Sequence, residues 1–448
     1  MSELQISALL RENAARVLDR QASVSGTYCI GLEIASTTDD SFRIKISEIQ
    51  SLTIVQNFLD NYIDDVTVSL KIPTKTYIDL AAHLQDLAAI LILKPYDDKT
   101  HELLLVAPTI IKFNAMVLDP VDIAQITNIG TVDGSLTSPG SNDAQSSNYM
   151  TIQMQLIEPQ LYKMRNTKFN GMFRGATVEK LIAYIIQGLG VSTAYIHPID
   201  NIQAIPNLHI PPYKDISNVF DFIQYNYGVY RKGITSYYTG GVMYVYPPYE
   251  CKPNVDKGIA HIYNIPSGMY SNHGFYHLIE GDQIHVISNT PTKMMDLGQG
   301  ATEHYGNAVS VVPAENVIDA YVATDDTGSM INDRVSQAIR FDSATALQGN
   351  ASVLKHGGVT GNPYYEMSKM AFSDAQVLAL SWINAIPFTF RPGQPVKYHY
   401  DDMKKYTTRN GVIEAIGYSL SNIGRVQSGL LFRCQSHIRL RLSKETSS

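Results

Sequence analysis

The chain has 448 residues, 44% of them hydrophobic and 17% charged, which is a globular composition too long for one ordinary core, so roughly two to four domains are expected. Lys+Arg 35 against Asp+Glu 42 gives a net charge of −7, and a mildly acidic chain has no whole-protein field to attract nucleic acid. Cys29, Cys251 and Cys434 are far apart and form no CxxC pair, which supports neither a zinc ribbon nor a disulfide framework and leaves them as buried thiols.

The first twenty residues carry Glu3, Arg11, Glu12 and Arg16 without an apolar run, so they do not read as a signal peptide. No segment reaches the ~18 apolar residues of a membrane helix. The expectation is a soluble protein made in the cytosol, with no membrane contact. Ile6, Leu9, Leu10, Ala14, Val17 and Leu18 fall on one stripe, which predicts a helix over 6–18 that docks on its own domain or on a neighbouring subunit.

Strands follow. Phe42–Ile46 and Val66–Ile72 alternate apolar and polar residues, the period of a sheet with one buried face. Tyr77, Leu80, Ala81, Leu84 and Leu87 switch to helical spacing and predict a helix over 76–87. Ala89–Leu93, Leu103–Val106, Ile110–Leu118 and the segment from Tyr149 return to strand. Residues 127–148 are rich in Gly, Ser, Asn, Asp and Pro and read as a long loop. This first unit, 1–165, is expected to be a β-barrel with one packed helix.

A second unit is predicted over 166–250, an α/β middle. Thr177 is positioned to cap a helix carrying Val178, Leu181, Ile182 and Ile185. Pro211 and Pro212 fix an extended entry, and Asp215 caps a second helix that ends at Gly228. Gly240–Gly241 between tyrosine-rich segments marks a hairpin. Residues 251–370 read as short strands and polar loops that continue the middle or begin a second barrel, with glycine-rich stretches at 297–307 and 355–362. The last unit, 371–448, is read as a helix over Ser373–Ala385 followed by barrel strands. In the final strand Phe432, Cys434, Ile438, Leu440 and Leu442 share one face, and Arg433, Gln435, His437, Arg439 and Arg441 share the other.

Tyr 28 against Phe 13 and Trp 1 favours sheets and wet interfaces over a dry catalytic core. No nucleotide-binding, zinc-protease or nucleophile-elbow motif is present. Asp326-Thr327-Gly328 matches the aspartic-protease triplet, but it lies among turn formers without a second copy. His273 and His277 are four apart, with Glu280 and His285 nearby, an incomplete metal set; Glu280 and Asp282 flank Gly281 as a turn does rather than a glycosidase pair. The expectation is no catalytic residue, cofactor or metal, and a candidate partner-contact face at Arg433, Arg439 and Arg441.

The C-terminal stretch IPFTFRPGQPV, a strand, NGVIEAIGYSL and a final long strand resembles the closing barrel of the baseplate hub proteins of contractile phage tails, a group that includes the T-even hub and the late-control hubs of temperate phages. TVEKLIAYIIQGLG followed by LHIPPYKDISNVFDFIQYNYGVY is similar to the middle region of the same family. The resemblance implies a β-rich, multidomain α+β fold with two tail-tube-like β-barrel domains around an α/β middle. It implies a non-enzymatic homotrimer in the virion that adapts a sixfold tail tube to a threefold central spike. Tail tube or distal tube proteins, the tape measure protein and the baseplate wedge are its implied partners. Another tail component, such as a tube-initiating, distal-ring or wedge protein, and a phage carbohydrate-active enzyme are the alternatives. The chain ends at Ser448 without a spike-like repeat, so the spike is expected on a separate polypeptide.

Overall fold

The computed structural model describes residues 26–39, 41–60, 62–97, 100–104, 107–118, 149–251, 258–264, 277–280, 283–288, 293–296, 309–313, 319–323, 338–342, 353–357, 362–373, 375–401, 406–426 and 429–443. The predicted helix at 6–18, the loop at 127–148, the stretch at 297–307, His273, Asp282 and the Asp326–Gly328 triplet lie outside the described residues.

The N-terminal strands are β1 (Thr27–Ser36), β2 (Arg43–Ile46), β3 (Ile49–Asn57) and β4 (Asp64–Pro73). After the short helix α1 (Thr74–Ala81) come β5 (Leu87–Asp97), β6 (Glu102–Leu103), β7 (Thr109–Leu118) and β8 (Tyr149–Ile157). Period two is plain in β4, where Val66, Val68, Leu70 and Ile72 are buried and the residues between them are not. The helix predicted to reach Leu87 stops at Ala81. Beyond it, Asp86 N–H donates to the His83 carbonyl at 3.0 Å, and the Asp86 carboxylate accepts from Ser36 Oγ at 2.5 Å and from Thr38 Oγ1. These side-chain bonds draw the segment into a turn, so Leu87 opens β5 instead.

The middle holds α2 (Pro159–Asn166), β9 (Lys168–Thr177), α3 (Val178–Gly188), β10 (Thr193–Ile196), β11 (Ala204–Asp215), α4 (Ile216–Asn226), β12 (Thr235–Thr239) and β13 (Val242–Tyr246). Thr177 Oγ1 accepts from the Lys180 N–H, capping α3, and Val178, Leu181, Ile182 and Ile185 pack into a separate core with Val219, Phe220 and Ile223. Gly240 and Gly241 both hold positive φ, 58° and 82°, as the tight turn joining β12 to β13 requires.

Four short strands follow, β14 (Ala260–Asn264), β15 (His277–Glu280), β16 (Gln283–Ser288) and β17 (Lys293–Asp296). β18 (Val309–Pro313), β19 (Asp319–Ala323), β20 (Ala338–Asp342) and β21 (Val353–Gly357) pair among themselves, so part of the glycine-rich 355–362 stretch is strand. Helix α5 (Pro363–Ser373) then leads to β22 (Ala375–Ile383), β23 (Pro395–Asp401), β24 (Tyr406–Val426) and β25 (Gly429–Ser443). The helix expected over Ser373–Ala385 is therefore corrected: α5 ends at Ser373 and the segment is strand β22. Leu378, Leu380 and Trp382 are buried with Ala379 exposed between them. This alternation, sealed by pairing with β25 along its whole length, overrides the helical propensity of Ala and Leu.

The fold class is β-rich α+β. Strands β24-β3-β4-β8-β7-β5-β1-β25 pair in that order, and β25 pairs back onto β24, closing an eight-stranded barrel. A second β unit runs β15-β16-β14-β23-β24 and continues through β25 to β22 and β17; Ser288 Oγ donates to the Ser381 carbonyl at 3.1 Å, tying β16 to β22. The first barrel is thus not a property of residues 1–165 alone, because two of its staves come from the C-terminus. Among the described residues no helix is long and apolar enough to cross a membrane.

Candidate functional site: the hand-over between two β units

β24 and β25 are long because each serves two sheets. β24 pairs with β23 through Tyr406–Val412 and with β3 through Ala415–Ser421. β25 pairs with β1 through Leu430–Arg433 and with β22 through Gln435–Ser443. On β25 the change of partner falls at Cys434, whose N–H donates to the Gly26 carbonyl at 2.9 Å and whose carbonyl accepts from Ala385 at 3.1 Å. Gly26 has φ +57°, and a Cβ there would run into the Asn384 backbone, so only glycine brings the chain this close.

On β24 the change of partner is a β-bulge. Ile413 opposes Leu440 and Ala415 opposes Arg439, which leaves Glu414 as the extra residue. The bulge turns the Glu414 side chain inward between two arginines, at 2.5 Å from Arg441 Nη2 and 2.9 Å from Arg439 Nε. Arg441 Nη1 also donates to the Phe372 carbonyl at 2.8 Å. Its guanidinium lies over the rings of Tyr249 and Phe372, 4.7 and 4.9 Å from their centroids. Arg439 reaches Asp60 at 3.7 Å, and the Glu414 carbonyl accepts from Phe58 N–H at 2.8 Å. A buried carboxylate between two cations, one of which also donates to a backbone carbonyl, is stable only if every member is in place.

The three predicted contact arginines are therefore not one surface. Arg433 is exposed and Arg439 partly so, but Arg441 is 1% exposed. Strict alternation would put Arg441 outside; instead α5 and the Tyr249 segment cover that side of β25 as well. Nothing in the sequence pattern marks Glu414 as their shared partner, because its role depends on the bulge.

A second buried polar cluster joins the barrel to the middle region. The Asp64 carboxylate accepts from Gln56 Nε2 at 2.9 Å, Tyr237 Oη at 2.8 Å and Thr239 Oγ1 at 2.6 Å. Burial raises the Asp64 pKa despite these bonds. Glu158 accepts from Gly240 N–H at 3.0 Å; burial, reinforced by the charge of Asp64, pushes its carboxyl up to about 7.

The third cluster is a stack of rings across four strands. His261 of β14 lies 4.7 Å from His285 of β16 and 5.3 Å from His399 of β23, all nearly parallel, and Tyr406 of β24 stacks on His399 at 5.7 Å. His261 Nδ1 and His399 Nε2 are 3.0 Å apart, and Tyr406 Oη is 2.6 Å from His399 Nδ1. Burial and the neighbouring imidazoles lower the His399 pKa to about 3. In sequence these histidines look scattered; the strand registers assemble them. Of the sequence candidates His273, His277, Glu280 and His285, His285 is the one whose side chain is described, and it stacks on His261. Among the described residues no group of three His, Cys, Asp or Glu is arranged to hold a metal.

These features define a class: a β-rich protein in which a closed barrel and a second β unit share one strand pair, with an α/β body packed between. The chain belongs to the family described as "Bacteriophage PBS1 gene 109 protein", which matches residues 25–295. No curated protein matches the sequence. In fold the chain is similar to the tail protein from Neisseria meningitidis MC58, with 9% identity over 92% of this chain and 97% of that one and a TM-score of 0.46. It is also similar to the 43 kDa tail protein of prophage MuSo2 from Shewanella oneidensis, with 10% identity over 92% and 96% and a TM-score of 0.45. A third similar structure is the E. coli c3393 protein, described as a component of the type VI secretion system with structural similarity to T4 bacteriophage tail proteins gp27 and gp5. That match has 8% identity over 92% and 77% and a TM-score of 0.41.

Proposed function

We propose that this chain is a structural component of a phage tail and, within it, the baseplate hub. In this reading three copies form a ring in the virion, made in the host cytoplasm. The ring joins a sixfold tube to a threefold spike and also meets the tape measure protein and the baseplate wedge. Membership of a phage family supports the setting. The observation that carries the role is the shared strand pair: β24 and β25 fix two β units of one chain in a set relation. Three such chains around an axis present six β units, which is how threefold symmetry meets sixfold. The function is geometric and involves no bond chemistry.

Light scattering on the purified chain, alone and mixed with the cognate spike and tube proteins, tests this. A trimer, or a monomer that trimerises on the spike, is the expected result. A hexamer would reassign the chain to a tube or distal ring, and a monomer that cleaves polysaccharide would overturn the structural reading altogether.

A further inference from the structure

A groove runs between α4 and α5 on the middle region, and its Tyr249–Phe372 end adjoins Arg441 and Arg439 of β25. It has two lobes of about 540 and 270 Å³ that share Asp221, Ile234 and Tyr249. Its rim is aromatic: Tyr225 and Tyr365 meet edge to face at 4.8 Å, and Tyr249 meets Phe372 at 5.5 Å. Tyr225 is 58% exposed and Phe372 43%, so the rim offers ring surface to an incoming group. The charged groups on the lining are Asp60 and Asp221, and no Lys or Arg lines it among the described residues. Asp60 has Arg439 at 3.7 Å. Asp221 has no ion pair or hydrogen bond among the described residues.

We infer that this groove receives an arginine side chain from an extended segment of a different protein chain. Charge complementarity selects a cation, because among the described residues Asp60 has a counter-charge in Arg439 and Asp221 has none. The rings select a guanidinium over an ammonium, since a flat, weakly hydrated cation stacks on aromatic faces while keeping its in-plane donors for a carboxylate. The protein already uses this chemistry beside the groove, where Arg441 lies over Tyr249 and Phe372 with Glu414 in its plane. A second guanidinium against Tyr225 and Asp221 would repeat that arrangement in the open lobe. Two joined lobes fit a side chain together with the peptide that bears it. The inference does not depend on the hub assignment.

Saturation-transfer NMR on the full chain with N-acetyl-arginine amide, and with the uncharged N-acetyl-citrulline amide, tests it. The arginine probe is expected to bind and saturate, and the citrulline probe is not. Asp221→Asn should weaken arginine binding about tenfold, the loss of one charge-assisted contact, and Tyr225→Ala should weaken it too. Tyr184→Ala, at an exposed tyrosine elsewhere, should leave it unchanged. Circular dichroism and the thermal midpoint of Asp221→Asn should match the parent, since the residue is at the surface. Equal transfer to both probes, no transfer to either, or undiminished binding by Asp221→Asn would overturn the inference. Dissociation of self-associated chain by the arginine probe would overturn it as well, assigning the groove to a second copy.

Discussion

Glu414 and Arg441 sit 2.5 Å apart on adjacent strands with neither side chain reaching solvent, and the bulge that brings them together lies where β24 leaves β23 for β3. Removing Glu414 leaves two arginines around an empty anion position, one of them buried. Glu414→Ala should cost about 3–5 kcal/mol in urea unfolding. The paired change Glu414→Leu with Arg441→Met should recover most of that, because apolar side chains of similar size need no counter-charge. A double variant as unstable as the single one would show that the ion pair is needed in itself.

The Glu158 carboxyl is raised from its ordinary 4.5 to about 7 by burial, so the folded chain holds this proton more tightly than the unfolded chain. Its contribution to stability is full below about 4.5 and is lost as pH rises through about 7. The expected signature is a thermal midpoint that falls between those pH values in the parent and falls less steeply in Glu158→Gln. Parallel profiles for the two proteins would remove Glu158 as the source.

His399 works in the opposite sense. Its folded pKa is depressed from 6.5 to about 3, so the unfolded chain takes up the proton first and stability is lost as pH falls through that interval. The groups facing it include His261, His285, Tyr263, Lys397, Tyr406 and Thr408. His399→Asn should flatten the acid limb of a urea-midpoint profile while leaving values above pH 7 less affected. NMR titration showing an imidazole with an ordinary midpoint at this position would contradict the expectation.

Two glycines on β24 should respond oppositely to alanine. A Cβ on Gly411 would collide with the Arg441 carbonyl, whereas Gly417 has open space around it. Gly411→Ala should cost about 1–3 kcal/mol through forced backbone movement, and Gly417→Ala should be neutral or slightly stabilising. Chemical denaturation of both single variants is sufficient to check this.

Much of the sheet was legible in the sequence because its strands bury one face. Val66–Ile72 and Phe432–Leu442 carry the two-residue period openly, and the Thr177 cap and the Gly240–Gly241 turn are local signals that need no tertiary context. Ala375–Ile383 misled because Ala375 and Leu378, and Leu380 and Ile383, each stand three apart, as neighbours on a helix do; its pairing with β25 was not visible locally. Arg441 misled because alternation assumes one wet face, and here both sides are covered. The Glu414 bulge and the His261–His285–His399 stack depend on register between segments far apart in sequence, which no single window of residues contains.

The closure of the first barrel has a consequence for how the protein is made. Its first stave, β1, begins at Thr27, but the seam is sealed by β25, which ends at Ser443. On the ribosome, the early strands must therefore wait, with an open edge at β1 and another at β3, until almost the whole chain has emerged. Such long-range closure is slow and leaves strands exposed to wrong partners. Truncated or stalled chains would offer those edges to one another rather than to a growing particle, and only a finished polypeptide could present a completed barrel for assembly.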